Sequence, residues 1–418
     1  MFLVFGNPRM LSRYAGIRAL AAARGLAVSC IAPAPRGAGR AAPGPDGILT
    51  VDLSDPTETL AAVLAMTGGR RVVAGVGLDE ASIRAASLVL SLLGLPNPGV
   101  LAATISCNKL LQRAACPAQS PRWRLITPAG QTVGHDIPPP WVVKPVSRHS
   151  SSGVVLVETD AALRRLLASG DYGETEPILL EERICGWEYS VESLVAAGRL
   201  CQAHPTAKRV SEPPYFVEMG HVVPALGLSE PDEAALLATN AAVIRAIGVE
   251  TALTHAEYRV TADGRVVLME IAVRPPGDGL SLLYQAAYGV SLDEQLLALA
   301  LGETPPPAVA RRRALQRYLL PPGVGTFAGL TLPESVPEVL VVPRVTAWPS
   351  LRPLPPSAPP AVRMVLQHKS PGDRLGALRE SDDRPASVVL DGPLDADLDR
   401  LAEDVVETLG VTVRADVG

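Results

Sequence analysis

Short apolar runs at residues 2–5, 27–31 and 72–76 alternate with longer stretches of helical periodicity, and this alternation predicts a parallel sheet flanked by helices. The intervening helices are expected near 10–24, from the Ser54-Asp55-Pro56 start signal to Met66, and from Asp79 to about Gly94. Beyond residue 106 the pattern changes to strands separated by polar loops. Helices are predicted near 160–169 and 230–247. The latter opens with Ser229 as cap, Pro231 early and Asp232 completing a capping box, and Gly248 stops it. After residue 303 prolines crowd the chain, before a last amphipathic helix near 393–409. No internal repeat is visible. The pattern divides the chain into an N-terminal α/β unit at 1–105, segments at 106–185 and 186–303, and a small C-terminal α+β unit at 304–418.

At 418 residues the chain exceeds a single ordinary core, and with 47% hydrophobic but only 4% aromatic residues that core is aliphatic. A formal charge of -5 offers no diffuse positive field for nucleic acid. The five cysteines are odd in number and never spaced C-x-x-C, so reduced thiols are expected, not a disulfide framework or zinc knuckle. The N-terminal apolar run is too short for a signal sequence. Gly94, Pro96 and Pro98 interrupt the uncharged stretch 85–108 well short of a membrane span, so a cytoplasmic location without membrane association is expected. Only four of the 38 basic residues are lysines: Lys109, Lys144, Lys208 and Lys369. In a chain that has drifted so far towards arginine, each remaining lysine is a candidate for a site that needs a compact ammonium.

The most explicit chemistry lies in the hairpin 251–271. Asp263-Gly264 reads as a type I′ turn closed by Ala262 and Arg265, and that register places Glu257 opposite Glu270. It also puts Ala256, Tyr258, Val260, Val267, Met269 and Ile271 on the opposite, buried face. Two opposed carboxylates repel unless a positive charge lies between them, and a divalent cation such as magnesium, bridging nucleotide phosphates, suits hard oxygen ligands. Arg274 is expected to point at the same cluster. A second feature is the strand 141–145, which carries Lys144, and the loop Ser147–Gly153 after it. Its small residues let backbone N–H groups approach an anion, although the strand that follows excludes a Walker P-loop. The segments 178–191 and 208–221 complete the set. Gly6-Asn7-Pro8 is no G-x-G-x-x-G fingerprint, so the first unit reads as a scaffold contributing a substrate edge.

In this order, with Cys107-Asn108-Lys109 ahead of them, these residues resemble the ATP-grasp superfamily, and within it the carboxylate-amine ligases related to bacterial L-amino acid ligases. The resemblance implies a pre-ATP-grasp, Rossmann-like N-terminal domain, a two-lobed ATP-grasp fold and a small C-terminal domain. It implies that Lys109 and Lys144 hold ATP phosphates, that Ser150, Ser151, Ser152 and Gly153 fold over them, and that Lys208 is a further phosphate contact. Glu181 matches the hinge carboxylate near the adenine, Arg183 and Ile184 match positions whose backbone reads its edge, and Glu188 matches the ribose ligand. Glu257 and Glu270 match ligands of two magnesium ions. Arg274 matches the arginine that meets the transferred phosphoryl group, and Glu218, His221 and Gly277 fall in the substrate region. The family's frequent Glu-x-Asn-x-Arg reads Glu270-Ile271-Ala272-Val273-Arg274 here, and Ala272 cannot ligate metal.

The activity implied is amide-bond formation through an acyl phosphate, with a small-molecule carboxylate and an amine as partners. The alternatives are an ATP-grasp small-molecule kinase and a non-catalytic ATP-binding module. The oligomeric state is left open, a homodimer through the first domain being common among relatives.

Overall fold

The structure is a computed structural model and describes residues 1–34, 42–43, 47–128, 130–172, 176–332, 340–343 and 347–414. As the alternation predicts, strands Phe2–Phe5, Val28–Pro33, Leu49–Val51 and Ala74–Gly77 form a parallel sheet. Three boundaries differ. The helix expected over 10–24 breaks at Tyr14 into Pro8–Arg13 and Ala15–Ala23. The Tyr14 hydroxyl donates to the Pro276 carbonyl at 2.7 Å, tying this turn to the segment after Arg274. The strand expected at 72–76 begins two residues later, and Asp79 ends up before the helix Ile83–Leu92. Its carboxylate accepts from the backbone N–H groups of Ser82 (2.9 Å) and Asn7 (2.6 Å), holding two sheet-edge loops together.

The second sheet is antiparallel, in the order Thr132–Gly134, Trp123–Ile126, Ile178–Glu182, Trp141–Pro145, Val155–Val157. The third has nine strands and begins Val266–Ala272, Ala252–Val260, Trp187–Ala196, Arg199–Val210, Glu218–Val223. It does not stop at the boundary expected near 303: Glu218–Val223 pairs with Arg313–Tyr318, which pairs with Ala386–Gly392. The C-terminal unit therefore extends the central sheet. One apolar cluster runs from Phe2 and Val4 through Leu283 to Val389, so the first and last segments share a core.

Helix Glu230–Ile247 forms as its signals predict, but the box at its start does not close. Asp232 is one methylene shorter than glutamate, and its carboxylate takes the Ser229 hydroxyl at 2.6 Å, not the cap's backbone N–H. A complete box appears instead at Ser291 and Glu294.

The hairpin differs in an instructive way. The Ala262-Asp263-Gly264 loop has three residues, with only Gly264 left-handed (φ 80°) and Thr261 pairing with Arg265. It is therefore not the two-residue type I′ turn, which would need two left-handed residues. Val260 consequently faces Val266, and Tyr258 faces Leu268. A bulge between Leu268 and Glu270 then adds one residue, so that Glu257 does face Glu270. The bulge's polar backbone is satisfied elsewhere: Leu268 N–H donates to Gln119 O at 2.7 Å, and Met269 O accepts from Arg113 at 2.6 Å. The core face accordingly carries Leu268 and Ile271, and Met269 turns to the opposite face and lines the cavity described next.

Candidate active site

A cavity of about 270 Å³ opens where the second sheet, the central sheet and the loops after Phe5 and Gly77 converge. One wall is built on helix Lys109–Ala115, capped by Asn108, whose side chain accepts from Leu111 N–H at 3.1 Å. Lys109 lies one helical turn before Arg113. The Lys109 ammonium donates to Arg148 O at 2.5 Å and to Glu270 at 3.2 Å. Arg113 is fully buried and donates to Glu181 at 2.6 Å, and the other oxygen of Glu181 lies 2.7 Å from the Lys144 ammonium. Burial opposes the charge on Glu181, but Arg113 and then Lys144 overcome it and hold the carboxyl down at about 2. Two buried cations share one anion, so this wall carries a net positive charge.

Because the folded carboxyl of Glu181 ionises far below its ordinary 4.5, its stabilising contribution is fully present above about pH 4.5 and is lost as pH falls through about 2. Urea unfolding followed from pH 6 to pH 2 should show ~3 kcal/mol lost from this group. The loss should be smaller in Glu181→Gln, and equal slopes for the two proteins would refute the assignment.

Serines 150 and 151 have φ of 59° and 58°, a backbone that L-residues adopt at a cost. The loop is fastened in that shape: Ser151 Oγ donates to Phe216 O (3.0 Å), Tyr172 to Gly153 O (2.8 Å) and Ser381 N–H to Ser150 O (3.2 Å). Ser150 and Ser151 reach the cavity, whereas Ser152 and Gly153 do not line it.

Of the expected hinge residues, Ile184 lines the cavity, with its carbonyl accepting from Arg259 at 2.8 Å. The Arg183 side chain is exposed and faces elsewhere. Glu188 is held by Arg259 at 3.0 Å. Gly186 lets the hinge press against the neighbouring strand, since a Cβ there would lie 2.2 Å from Val260 O.

On the central sheet Glu257 and Glu270 both line the cavity, as the pairing predicts. Each has its own protein cation. Glu270 meets Lys109, and Glu257 meets Lys208 at 2.7 Å and His255 at 3.2 Å. Lys208 does not line the cavity. Its ammonium lies beneath the acidic floor, 1% exposed, against Glu218 (2.5 Å), Glu257 and Glu188 (3.2 Å). Burial disfavours its charge, but the three carboxylates raise its pKa well above the ordinary value.

At the far end Arg274 pairs with Glu80, donating from Nε at 2.8 Å, and donates to Pro275 O at 2.7 Å. Gly277 lines the same region. Glu218, His221 and Asp278 have ligand atoms within 4.8 Å of one another. Burial pushes the Glu218 carboxyl upward, helped by Asp278 and opposed by the Lys208 ammonium. Burial lowers His221 to about 4, which leaves it neutral, and its Nδ1 is buried without a partner.

Residues outside the sequence-based set also belong to this site, among them Arg113, His255 and Glu80. Arg113 hid among 34 arginines, although its i+4 spacing from Lys109 was a readable signal. His255 lies two residues before Glu257 on the same face of its strand. Burial opposes its charge, but its bonds to Glu192 (2.7 Å) and Glu257 raise it to about 9, so a cation is wedged between two carboxylates. Glu80 had no local signal, because its partner is 194 residues away.

The donor set suits a hard divalent cation: Glu257 and Glu270 present carboxylate oxygens from adjacent strands to one cavity, while Ala272, also in its lining, has no ligand atom.

Comparison with known proteins agrees with this geometry. The ATP-grasp domain family matches residues 137–281. A D-alanine–D-alanine ligase of Aromatoleum aromaticum is 31% identical over 230 residues, 51% of this chain and 72% of that protein. The chain belongs to the ATP-grasp family. A carbamoyl phosphate synthase large chain of Arthrobacter sp. is 31% identical over 197 residues, covering 45% of this chain, which thus spans only 18% of that relative's length. Among solved structures, an L-amino acid ligase from Bacillus licheniformis superposes with a TM-score of 0.74 at 19% identity, covering 99% and 98% of the two chains. A phosphoribosylglycinamide synthetase from Anaerococcus prevotii gives 0.67 at 14% identity, covering 99% of each. The chain thus shares its fold with these two solved structures over 99% of its length. Among the described residues no helix is long and apolar enough to cross a membrane.

Proposed function

We propose that this protein is an ATP-dependent carboxylate-amine ligase that joins amino acids or amino-acid-like metabolites in the cytoplasm, releasing ADP and phosphate. The observation that carries the reading is the layout of one cavity. The Lys109 and Lys144 ammonium groups and a serine loop form one wall, two opposed carboxylates the floor, and Arg274, Glu218 and His221 the far end. Two magnesium ions, when bound, would neutralise phosphate charge, with Glu257 and Glu270 as their protein ligands.

The chain's own residues then have defined tasks. Lys109 and Lys144 bind phosphate oxygens, Ile184 and Glu188 border the nucleoside, and Ser150 and Ser151 exclude water above the phosphates. A substrate carboxylate oxygen attacks the γ-phosphorus, the bond to the bridging oxygen breaks, and ADP leaves. Arg274 faces the phosphoryl group and then the tetrahedral oxyanion formed as an amine nitrogen attacks the acyl carbon. Phosphate leaves and the nitrogen loses its proton. Glu218 and His221 orient the amine-bearing substrate. This chemistry asks for positioning and charge, not a strong nucleophile on the protein.

The test is a screen of amino-acid pairs for ATP-dependent phosphate release, with mass detection of the coupled product. Phosphate release that requires both an acid and an amine supports a ligase, and ADP formation with one acceptor and no free phosphate would make it a kinase. Ala272, which removes a ligand position, favours the second reading of a silent ATP-binding module. That module would bind ATP with no ADP formed in any mixture.

A further inference from the structure

Eight arginine and lysine side chains line the cavity, and seven of them are matched to a carboxylate of the protein, for example Arg9 to Asp382 and Arg384 to Asp278. The eighth is Arg13. Among the described residues it has no ion pair and no hydrogen bond to its guanidinium, and its Nε is buried without a partner. It lies over the face of Trp348, 4.5 Å from the ring centroid. The carboxylate that acts on it, Asp278, is already engaged on both oxygens by Arg384, at 2.8 and 3.2 Å. Burial, with Arg9 nearby, lowers Arg13 to about 10, which still leaves it charged at neutral pH.

An unpaired, largely desolvated cation is costly unless an anion arrives with the ligand. We infer that Arg13 is the binding site for a carboxylate carried by the amine-donating substrate, so that this substrate is an amino acid and the product retains a free carboxylate. The inference rests on the ligase reading and narrows its substrate class.

Three features select a carboxylate on the amine donor. The phosphate-binding lysines lie on the helix Lys109–Ala115 and the second sheet, whereas Arg13 ends the helix Pro8–Arg13 of the first domain, so the triphosphate has its own cations. A guanidinium whose one face is covered by an aromatic ring offers its edge, a fork that matches a planar carboxylate in a bidentate pair. The carboxylate to be activated must lie at Arg274 and the paired glutamates. The anion at Arg13 therefore belongs to the other substrate.

The test compares two readouts in the wild type, Arg13→Gln and Arg13→Lys. The first is hydroxamate formation from ATP, hydroxylamine and each of the twenty proteinogenic L-amino acids as the acid. Hydroxylamine has no carboxylate, so this readout reports the acyl phosphate alone. The second is coupling of the acids that score to L-amino acids as amines, against the corresponding L-amino acid amides. Arg13→Gln should leave hydroxamate formation within twofold of the wild type and raise KM for the amino-acid amine about 10–100-fold, with kcat little changed. The amide should already be poor with the wild type and no worse with the variant, and Arg13→Lys should recover part of the loss. Equal losses for amino acid and amide, a rise in KM for the acid alone, or no change would overturn the inference and leave the ligase reading standing. Absence of hydroxamate from the wild type with every acid would overturn the ligase reading and the inference with it.

Discussion

Glu270→Gln should abolish coupling while leaving the protein folded. The carboxylate is half-buried and faces the cavity opposite Glu257, and its protein partner Lys109 keeps a second acceptor, Arg148 O, at 2.5 Å. Removing the charge leaves the buried Lys109 ammonium without its counter-anion, but the amide oxygen that replaces the carboxylate can still accept from it, so a modest loss of stability is expected, not unfolding. What is lost is the anionic oxygen that would hold a divalent cation against phosphate, and an electrostatic contact of that kind lowers kcat on the order of 10³-fold when removed. The measurement is ATP-dependent phosphate release, with thermal unfolding as the control. A variant that unfolds at the wild-type temperature and still turns over within tenfold of the wild type would remove Glu270 from the site. Glu257→Gln is a less clean probe. Its oxygen is bonded to both Lys208 and His255, so its loss also disturbs the charged floor.

The Glu257–Glu270 pair shows how a sequence can disclose a site for a partly mistaken reason. The turn reading gave the pairing directly. In the structure a three-residue turn shifts the register by one, and a bulge shifts it back. The sequence carries the turn signal but not the bulge, because the groups that satisfy the bulge, Gln119 O and the Arg113 guanidinium, come from a segment about 150 residues away. Short-range features read well for the same reason. The Ser229 cap and the strand carrying Lys144 depend on neighbours in the chain. Lys208 shows the limit of reasoning from residue type. Scarcity singled it out correctly as a lysine in special surroundings, yet those surroundings are three carboxylates beneath the floor, not open phosphate space. Glu80 and the Asp278–Arg384 pair were invisible, since each joins segments more than 100 residues apart and no local pattern encodes such a meeting.

The second large effect concerns the charge balance behind Lys144. Arg113, Glu181 and Lys144 are all at least nine-tenths buried and sum to one net positive charge. Glu181→Gln removes the only anion and leaves two cations facing each other out of water, a change of the kind that costs about 3–5 kcal/mol. Arg113→Met removes one of the two cations instead. The remaining Glu181–Lys144 pair is balanced, and the losses are the Glu181 contact and the donor to Met269 O, so the expected cost is smaller, about 1–3 kcal/mol. The order of the two variants in urea unfolding is the decisive result, because a purely steric account predicts the reverse: glutamine nearly matches glutamate in shape, whereas methionine leaves much of the guanidinium's space unfilled. A phosphate-bearing ligand should narrow the difference between Glu181→Gln and wild type more than it narrows that between Arg113→Met and wild type. The two uncompensated cations left by Glu181→Gln are what an incoming anion would balance, whereas Arg113→Met has lost the excess positive charge. Urea unfolding with and without ATP checks this, and equal narrowing in the two variants would refute the charge account.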